Sequence, residues 1–195
     1  MSSIRIVLAS GSQQRLALLR QIGINPQVRI SNFIENLDKS LPVTEYVEQT
    51  AKGKALSVAK LMEANEYDLV IGCDTVVTID NQIIGKPLNG ADALATLKRL
   101  RGRTHQVYTG VALIDSKLKC ELFHEKTEVT FSDVPDTILE EYVESGEPIG
   151  RAGSYGIQAK GSLFVENING CYYNVVGLPI NRIAKRLWNK VSFFK

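Results

Sequence analysis

The sequence has few cysteines, little net charge and no long apolar run. Its 195 residues include three cysteines without a CxxC pair (Cys73, Cys120 and Cys171), so we expect reduced thiols in an intracellular protein rather than a disulfide framework. The formal net charge is only +2, which argues against broad nucleic-acid binding. No apolar stretch approaches the length of a membrane span, and the N-terminal run is too short for a signal peptide. These absences predict a cytoplasmic protein with no membrane partner and no stable nucleic-acid partner.

The order of apolar patterns predicts one α/β domain over residues 1–195. Hydrophobic residues make up 44% of the chain and charged residues 23%, as in ordinary globular proteins. Predicted strands cover residues 4–9, 27–31, 68–79, 105–115 and 121–131, with a hairpin turn at Asp80-Asn81. Predicted helices cover residues 13–21 (capped by Ser12), 42–65 (with Thr44 near its N-cap), 91–101 (capped by Asn89), 135–148 (stopped at Gly146) and 176–188. Alternating elements followed by two long strands indicate a mixed, twisted sheet with flanking helices.

The stretch SGSQQR, which follows the first predicted strand, combines small residues with one cation. Ser10, Gly11 and Ser12 lie at a strand-to-helix junction, where free backbone N–H groups and the helix dipole attract an anion. Arg15 falls on the first helical turn, and its guanidinium can reach back toward the same anion. The order of a P-loop is missing. The segment therefore predicts either a phosphate-binding turn or an ordinary helix capped by Ser12 with a solvated Arg15.

Asp74 lies inside the apolar strand segment IGCDTVV. An unpaired carboxylate there would cost several kcal/mol, so Asp74 either has a cation, a metal or a set of donors as its partner, or has already reached solvent at a strand end. The neighbouring Thr75 points to the other face of the strand and cannot perform the same task.

Two lysines are further candidates for binding phosphate. Lys54 falls within the apolar stripe of the long second helix, which we expect to consist of Val47, Ala51, Val58 and Leu61. Its ammonium either extends to water or reaches a phosphate pocket. Lys86 follows a strand in the turn segment GKP and is either a solvated turn lysine or a phosphate ligand.

Glu35 and Gln158 carry weak signals when each is taken alone. Glu35 lies in a charged loop and alone would be a surface carboxylate. Paired with Asp74, it could hold Mg²⁺ or Mn²⁺, which prefer oxygen ligands and bridge substrate phosphates. Gln158 follows SYGI in a glycine-rich segment, and its amide suits the edge of a nucleotide base.

Nine short motifs in order resemble the Maf-like family of nucleoside triphosphate pyrophosphatases, in the branch that acts on dTTP and UTP. They run from about residue 5 to residue 185: LASGSQQR, SNFIE, TAKGKA, IGCDTVV, GKP, VYTGVA, SGEP, AGSYGIQ and NVVGLP. The resemblance implies an elongated α/β fold of the ITPase-like (Maf/Ham) type with a cleft between two lobes. It also implies a divalent cation, cleavage between the α- and β-phosphates, and a homodimer as a common assembly.

The resemblance also implies a role for ten residues. Asp74 matches the catalytic carboxylate, and Glu35 joins it in metal binding. The triphosphate-binding positions are Ser10, Ser12, Arg15, Lys54 and Lys86, and the specificity positions are Gln14, Thr75 and Gln158. Thr75 and Gln158 match the dTTP/UTP branch rather than the methyl-GTP branch. One departure is that Gln13 and Gln14 replace the usual Pro-Arg, which removes one positive charge from a specificity position.

Four other interpretations compete with this one. A nucleotide-binding regulatory protein of the septum-formation type would use the same pocket without turnover, and a methyl-GTP pyrophosphatase would differ in its base preference. A covalent phosphatase with Asp74 as nucleophile lacks its second acid, since Val76 stands there. A cysteine hydrolase would need Cys73 and His105 together, but Cys73 should point away from the face that carries Asp74.

Overall fold

The computed structural model describes residues 4–193, which form a seven-stranded sheet flanked by helices. The strands are β1 (Ile6–Leu8), β2 (Gln27–Val28), β3 (Leu69–Ile79), β4 (Gln82–Ile84), β5 (Thr104–Asp115), β6 (Cys120–Phe131) and β7 (Val165–Asn169). The helices are α1 (Gln13–Gln21), α2 (Val43–Ala59), α3 (Gly90–Leu100), α4 (Asp136–Glu144), α5 (Tyr172–Val176) and α6 (Ile180–Leu187). Two short 3-10 turns lie at Ala152–Ser154 and Lys160–Phe164.

The sheet contains both parallel and antiparallel pairs. Its strand order is β2-β1-β3-β5-β6-β7, and β4 pairs with β3. β1 is parallel to both β2 and β3, with Leu8 opposite Ile71, whereas β4 and β7 are antiparallel to their neighbours. The predicted α/β class with a mixed sheet is confirmed, and β5 and β6 are neighbours as expected.

Contacts divide the described chain into two units, with the boundaries falling inside β3, β5 and β6. Unit 1 contains residues 4–74, 109–125 and 177–193. Its helix α2 packs directly onto the sheet, because a side chain at Gly72 would overlap the carbonyl of Ala51, and one at Gly110 would overlap that of Val47. Glycine at both strand positions therefore fixes α2, the helix that carries Lys54, against β3 and β5.

Unit 2 contains residues 75–108 and 126–176. Its core combines aliphatic residues from β3, α3 and β6 with a group of aromatic side chains. Phe131 and Tyr155 meet edge to face at 4.8 Å between ring centroids, as do Tyr142 and Phe164. Such pairs add to the apolar burial and fix the segment after α4 against the sheet.

Several local predictions are confirmed. Asp80 and Asn81 have φ angles of +52° and +57°, the left-handed geometry of a tight hairpin turn, and they join β3 to β4. Ser12 and Asn89 cap α1 and α3 by accepting hydrogen bonds from backbone N–H groups. Gly146 ends the α4 region with φ of +74°.

Two helix predictions are wrong in detail. α2 has Pro42 as its N-cap, with Thr44 in its first turn, but it ends at Ala59 rather than at residue 65, so Leu61 lies beyond the helix with 76% of its surface exposed and does not belong to the stripe. The C-terminal helix expected over residues 176–188 is α6, which begins only at Ile180, and a short helix that was not predicted, α5, precedes it and ends at Val176. Gly177 separates them with φ of +121°, a conformation that few other residues adopt.

None of the helices within residues 4–193 is long and apolar enough to cross a membrane. Cys73, Cys120 and Cys171 are free thiols, as the sequence predicts.

Candidate active site

The turn after β1 orders the SGSQQR residues around the start of α1. The Ser12 Oγ accepts a hydrogen bond from the Arg15 N–H at 3.3 Å and donates to the Gln14 Oε1 at 3.2 Å. The Ser10 Oγ accepts from the Ser12 N–H at 3.2 Å, and Ser10 as a residue is only 9% exposed. The simple interpretation of a capped helix is therefore correct for Ser12, and the cap also contacts Gln14, one of the three predicted specificity positions.

Arg15 is held in place rather than solvated. Its Nε donates to the carbonyl of Gly177 at 2.9 Å, and one terminal nitrogen donates to the Ser10 Oγ at 3.2 Å. Sequence analysis had no separate reason to single out Gly177, although it lies in the motif NVVGLP. Its carbonyl orients the Arg15 guanidinium toward the turn, so the turn combines helix N–H groups, hydroxyls and a fixed cation, which is an arrangement suited to an anion.

Asp74, a carboxylate in a buried strand, is paired with the ammonium of Lys54. The Lys54 Nζ lies 2.8 Å from the Asp74 Oδ1 and 2.9 Å from the Glu35 Oε1. Asp74 is only 7% exposed and the Lys54 side chain 13%, whereas half of the Glu35 side chain is exposed. Lys54 therefore does not extend into water, and the structure brings together three predicted residues from α2, β3 and the loop after β2.

The loop that carries Glu35 is fixed to α2 by two contacts beside Lys54. A side chain at Gly53 would overlap the ring of Phe33, so glycine leaves the space that this ring occupies. The Ser31 Oγ lies 2.7 Å from the Ser57 Oγ, which itself donates to the carbonyl of Lys54 at 2.9 Å. The Phe33 N–H also donates to the Ser31 Oγ. These contacts place a residue from an irregular loop beside a buried helix residue, and no sequence periodicity predicts them.

Two further side chains respond to the charges of this group. Burial raises the pKa of the Tyr46 phenol, and the negative charges of Asp74 and Glu35 raise it further. Tyr46 was missed from sequence, although it lies two turns before Lys54 on the same helix face. Burial raises the pKa of the Cys73 thiol to about 11, against the opposing effect of the positive charges of Arg15 and Lys54.

The thiol of Cys73 is therefore protonated at neutral pH and fully buried. His105 is also buried, its Nε2 lies 2.9 Å from the Tyr155 hydroxyl, and desolvation lowers its pKa to about 4. A thiolate nucleophile with a histidine base needs the opposite environments. These findings oppose the cysteine hydrolase interpretation.

The remaining three predicted residues belong to unit 2. Thr75 follows Asp74 on β3 and is half-buried, and Lys86 is exposed in the loop after β4. Gln158 is exposed in the segment between the two 3-10 turns. The segments that carry Lys86 and Gln158 are linked, because the Gly153 N–H donates to the carbonyl of Gly85 at 3.0 Å.

The donors near Lys54 also fit a divalent cation. Within residues 4–193 no group of three or more His, Cys, Asp or Glu side chains could hold a metal by itself. However, the carboxylates of Glu35 and Asp74 converge on one cationic nitrogen. Mg²⁺ is commonly held by one or two carboxylates, with water and substrate phosphates completing its coordination.

The fold and these side chains describe an α/β protein in which a turn presents hydroxyls and a fixed arginine at a helix start, and in which a lysine bridges a pair of carboxylates. The chain belongs to the Maf-like family, whose model, described as Maf-like protein, matches residues 5–190. A dTTP/UTP pyrophosphatase of Clostridium botulinum (strain Kyoto / Type A2) is 45% identical over 93% of this chain and 95% of its own. A dTTP/UTP pyrophosphatase of Bacillus cereus (strain AH820) is also 45% identical, over 94% of each chain.

Two solved structures are more distant. A nucleoside-triphosphatase / dITP/XTP pyrophosphatase from Mycobacterium abscessus is 13% identical over 95% of each chain, with a TM-score of 0.47. The Ham1 protein of Staphylococcus aureus is 19% identical over 66% of this chain and 72% of that one, with a TM-score of 0.46.

Proposed function

We propose that this protein hydrolyses dTTP and UTP between the α- and β-phosphates, releasing the nucleoside monophosphate and pyrophosphate. Such an activity would remove these nucleotides from the cellular pool. The observation that carries the proposal is the contact of Lys54 with both Asp74 and Glu35, since it joins three positions that the family resemblance assigns to this reaction. The two relatives named dTTP/UTP pyrophosphatase support the choice of substrate.

The turn after β1 binds part of the triphosphate in this proposal. Free N–H groups at the start of α1, the Ser10 hydroxyl and the Arg15 guanidinium offset its negative charge. Lys54 and Lys86 add two ammonium groups for the phosphates. Donors that are fixed before the substrate arrives stabilise charge on the pyrophosphate leaving group as the bond breaks.

Asp74 acts as the base in this proposal. Its carboxylate orients a water molecule, accepts a proton from it, and so directs the water oxygen to the α-phosphorus. Lys54 supplies the counter-charge that a carboxylate needs at a position only 7% exposed.

Glu35 and Asp74 would hold Mg²⁺ or Mn²⁺. When bound, the cation would neutralise phosphate charge and polarise a phosphoryl oxygen. We infer that the reaction requires this cation because the carboxylates of Glu35 and Asp74 lie close enough to contact the same Lys54 ammonium.

Base preference is assigned to Thr75, Gln158 and Gln14. The first two match the dTTP/UTP branch, and an amide such as that of Gln158 presents both a donor and an acceptor to a base edge. Gln14 accepts a hydrogen bond from Ser12 in place of the usual arginine. The proposal therefore requires that dTTP and UTP are preferred without a positive charge at position 14.

The deciding experiment is pyrophosphate release from a panel of canonical and modified triphosphates, with Mg²⁺ or Mn²⁺ at fixed concentration. We expect release from dTTP and UTP, a loss of turnover of about 10²-fold or more in Asp74→Asn, and retained nucleotide binding. Asp133→Asn is the matched control, because this carboxylate is 92% exposed and lies in unit 2.

Three results would contradict the proposal in different ways. Equal turnover in Asp74→Asn would remove Asp74 from the chemistry. Release only from purine or methylated triphosphates would show that Gln14 changes the base preference. Nucleotide binding without release of pyrophosphate from any triphosphate would favour a regulatory binding protein.

A further inference from the structure

Gln158 lies near the tip of a tight turn in unit 2. The Ala159 N–H donates to the carbonyl of Gly156 at 3.1 Å, which closes a four-residue turn over positions 156–159. Ile157 within the turn is only 9% exposed, whereas Gln158 is exposed. The turn therefore buries one side chain and presents the next one to its surroundings.

Both ends of this turn are bound by the same pair of side chains, Tyr142 at the end of α4 and Glu147 just after it. The Gly156 N–H donates to the Tyr142 hydroxyl oxygen at 3.1 Å. At the other end, the N–H groups of Lys160 and Gly161 donate to the two carboxylate oxygens of Glu147, at 3.2 and 3.4 Å. The Tyr142 hydroxyl donates to the Glu147 Oε1 at 3.0 Å and so joins the two anchors.

The anchors are themselves fixed. Tyr142 is only 5% exposed and its ring packs edge to face on Phe164 at 4.8 Å. The carbonyl of Glu147 accepts a hydrogen bond from the Arg151 Nε at 3.0 Å. Burial raises the pKa of the Tyr142 phenol, which keeps its proton available for Glu147.

Gly161 shows how closely the two ends of the turn approach. A Cβ atom at this position would lie 2.8 Å from the Gly156 nitrogen and 2.9 Å from the Tyr142 hydroxyl, so any side chain would separate the turn from its anchor. The glycine at position 161 is therefore required for the contact between turn and anchor.

We propose that Glu147 and Tyr142 are positioning residues that set the base selectivity of the enzyme by fixing the turn that carries Gln158. This inference rests on the proposed function, in which Gln158 contacts the base. An amide discriminates between base edges only when its donor and acceptor are held at fixed positions, because a loose amide adapts to either pattern. The carboxylate and the phenol supply that fixed frame.

The test measures binding of α,β-imido-dTTP and α,β-imido-CTP, which resist cleavage at the scissile bond, by titration calorimetry. Selectivity is measured as the dissociation constant of the CTP analogue divided by that of the dTTP analogue. We expect this ratio to fall about tenfold in Glu147→Gln and in Tyr142→Phe, since a lost hydrogen bond loosens the turn. In a Gln158→Ala background, Glu147→Gln should leave the ratio unchanged, because the residue through which it acts is gone.

Tyr155→Phe is the matched control for Tyr142→Phe. Its phenol is buried as well, but it bonds to His105 and not to the turn, so the variant loses a comparable hydrogen bond and keeps the selectivity ratio. Circular dichroism establishes that each variant is folded, and a KM for dTTP that rises more than kcat falls would agree with a role in base binding.

An unchanged ratio in folded Glu147→Gln would overturn the inference. So would a further change on adding Glu147→Gln to Gln158→Ala, or a wild-type protein that binds both analogues equally or binds neither. Discriminating binding without pyrophosphate release from any triphosphate would overturn the proposed hydrolysis and leave this inference standing.

Discussion

At the scale of single residues, Lys54 is the cation that contacts both Glu35 and Asp74 in unit 1. Its one positive charge serves two carboxylates, and it shares a largely buried position with Asp74. A divalent cation bound by the same carboxylates would lie close to this ammonium and repel it. If the proposed cation binds there, Lys54 and the cation would therefore compete for Glu35 and Asp74 until phosphates offered the ammonium another partner.

Replacement of Lys54 by methionine tests this competition. Lys54→Met removes the ammonium and keeps a chain of similar length, so we expect Mn²⁺ to bind the nucleotide-free variant at least about tenfold more tightly, as electron paramagnetic resonance can measure. Turnover should fall, because the variant lacks a residue that the proposed mechanism assigns to the phosphates. Without metal, the unfolding free energy should fall by about 3 kcal/mol, since Asp74 loses its partner.

The control for this prediction is Lys52→Met, which changes a lysine on the same helix that pairs with neither carboxylate in the described structure. Equal Mn²⁺ affinity in wild type and Lys54→Met would show that the ammonium does not compete with the metal.

At the scale of elements, the backbone at the start of α1 is suited to a proline at position 13, where this chain has glutamine. Ser12, the N-cap, has φ of −71° and ψ of 117°, the extended geometry that a following proline imposes. Gln13 is the first helical residue and is exposed. The N–H of a first helical residue has no partner within its helix, so proline there sacrifices no helical hydrogen bond.

Gln13→Pro should therefore stabilise the protein. Proline restricts the unfolded chain and fits the folded one, and we expect the unfolding free energy to rise by about 0.5 kcal/mol in urea titrations. Ala17→Pro is the contrasting variant, because this exposed position lies inside the same helix and should lose about 3 kcal/mol. A destabilised Gln13→Pro would mean that the start of α1 differs from the geometry described.

At the scale of the whole molecule, the sequence predicted what depends on neighbours along the chain. The turn at Asp80-Asn81, the caps at Ser12 and Asn89 and the mixed α/β class follow from local chemistry, and each is confirmed. Sequence reasoning also required a partner for Asp74, but it did not predict that Lys54 would be that partner. The roles of both residues remain predictions.

What the sequence could not predict depends on packing between distant segments. Glu35 reaches Lys54 only because Phe33 occupies the space left by Gly53, and Arg15 is oriented by the carbonyl of Gly177, which is 162 residues away. Periodicity does not encode such contacts. The end of α2 at Ala59 is a smaller example, since the apolar pattern continues to Leu61 although the helix does not.

At the scale of the whole molecule, the buried His105 ring makes the stability of the fold depend on pH in the mildly acidic range. Desolvation lowers the pKa of His105 to about 4, from a usual value of about 6.5, so the folded state keeps this ring neutral where the unfolded chain binds a proton. The contribution of the neutral His105 ring to the unfolding free energy is therefore fully present above about pH 6.5. It is lost as the pH falls from 6.5 toward 4. The loss over this window amounts to about 3 kcal/mol.

Urea titrations between pH 7 and pH 4 should show this fall in the unfolding free energy, and His105→Asn should flatten it, even though the variant is less stable at pH 7. Carboxylates with a lowered pKa, such as Asp68 at about 2 beside Arg5, lose their contribution at lower pH and so do not account for this window. An equal slope in His105→Asn and wild type would assign the acid sensitivity to other groups.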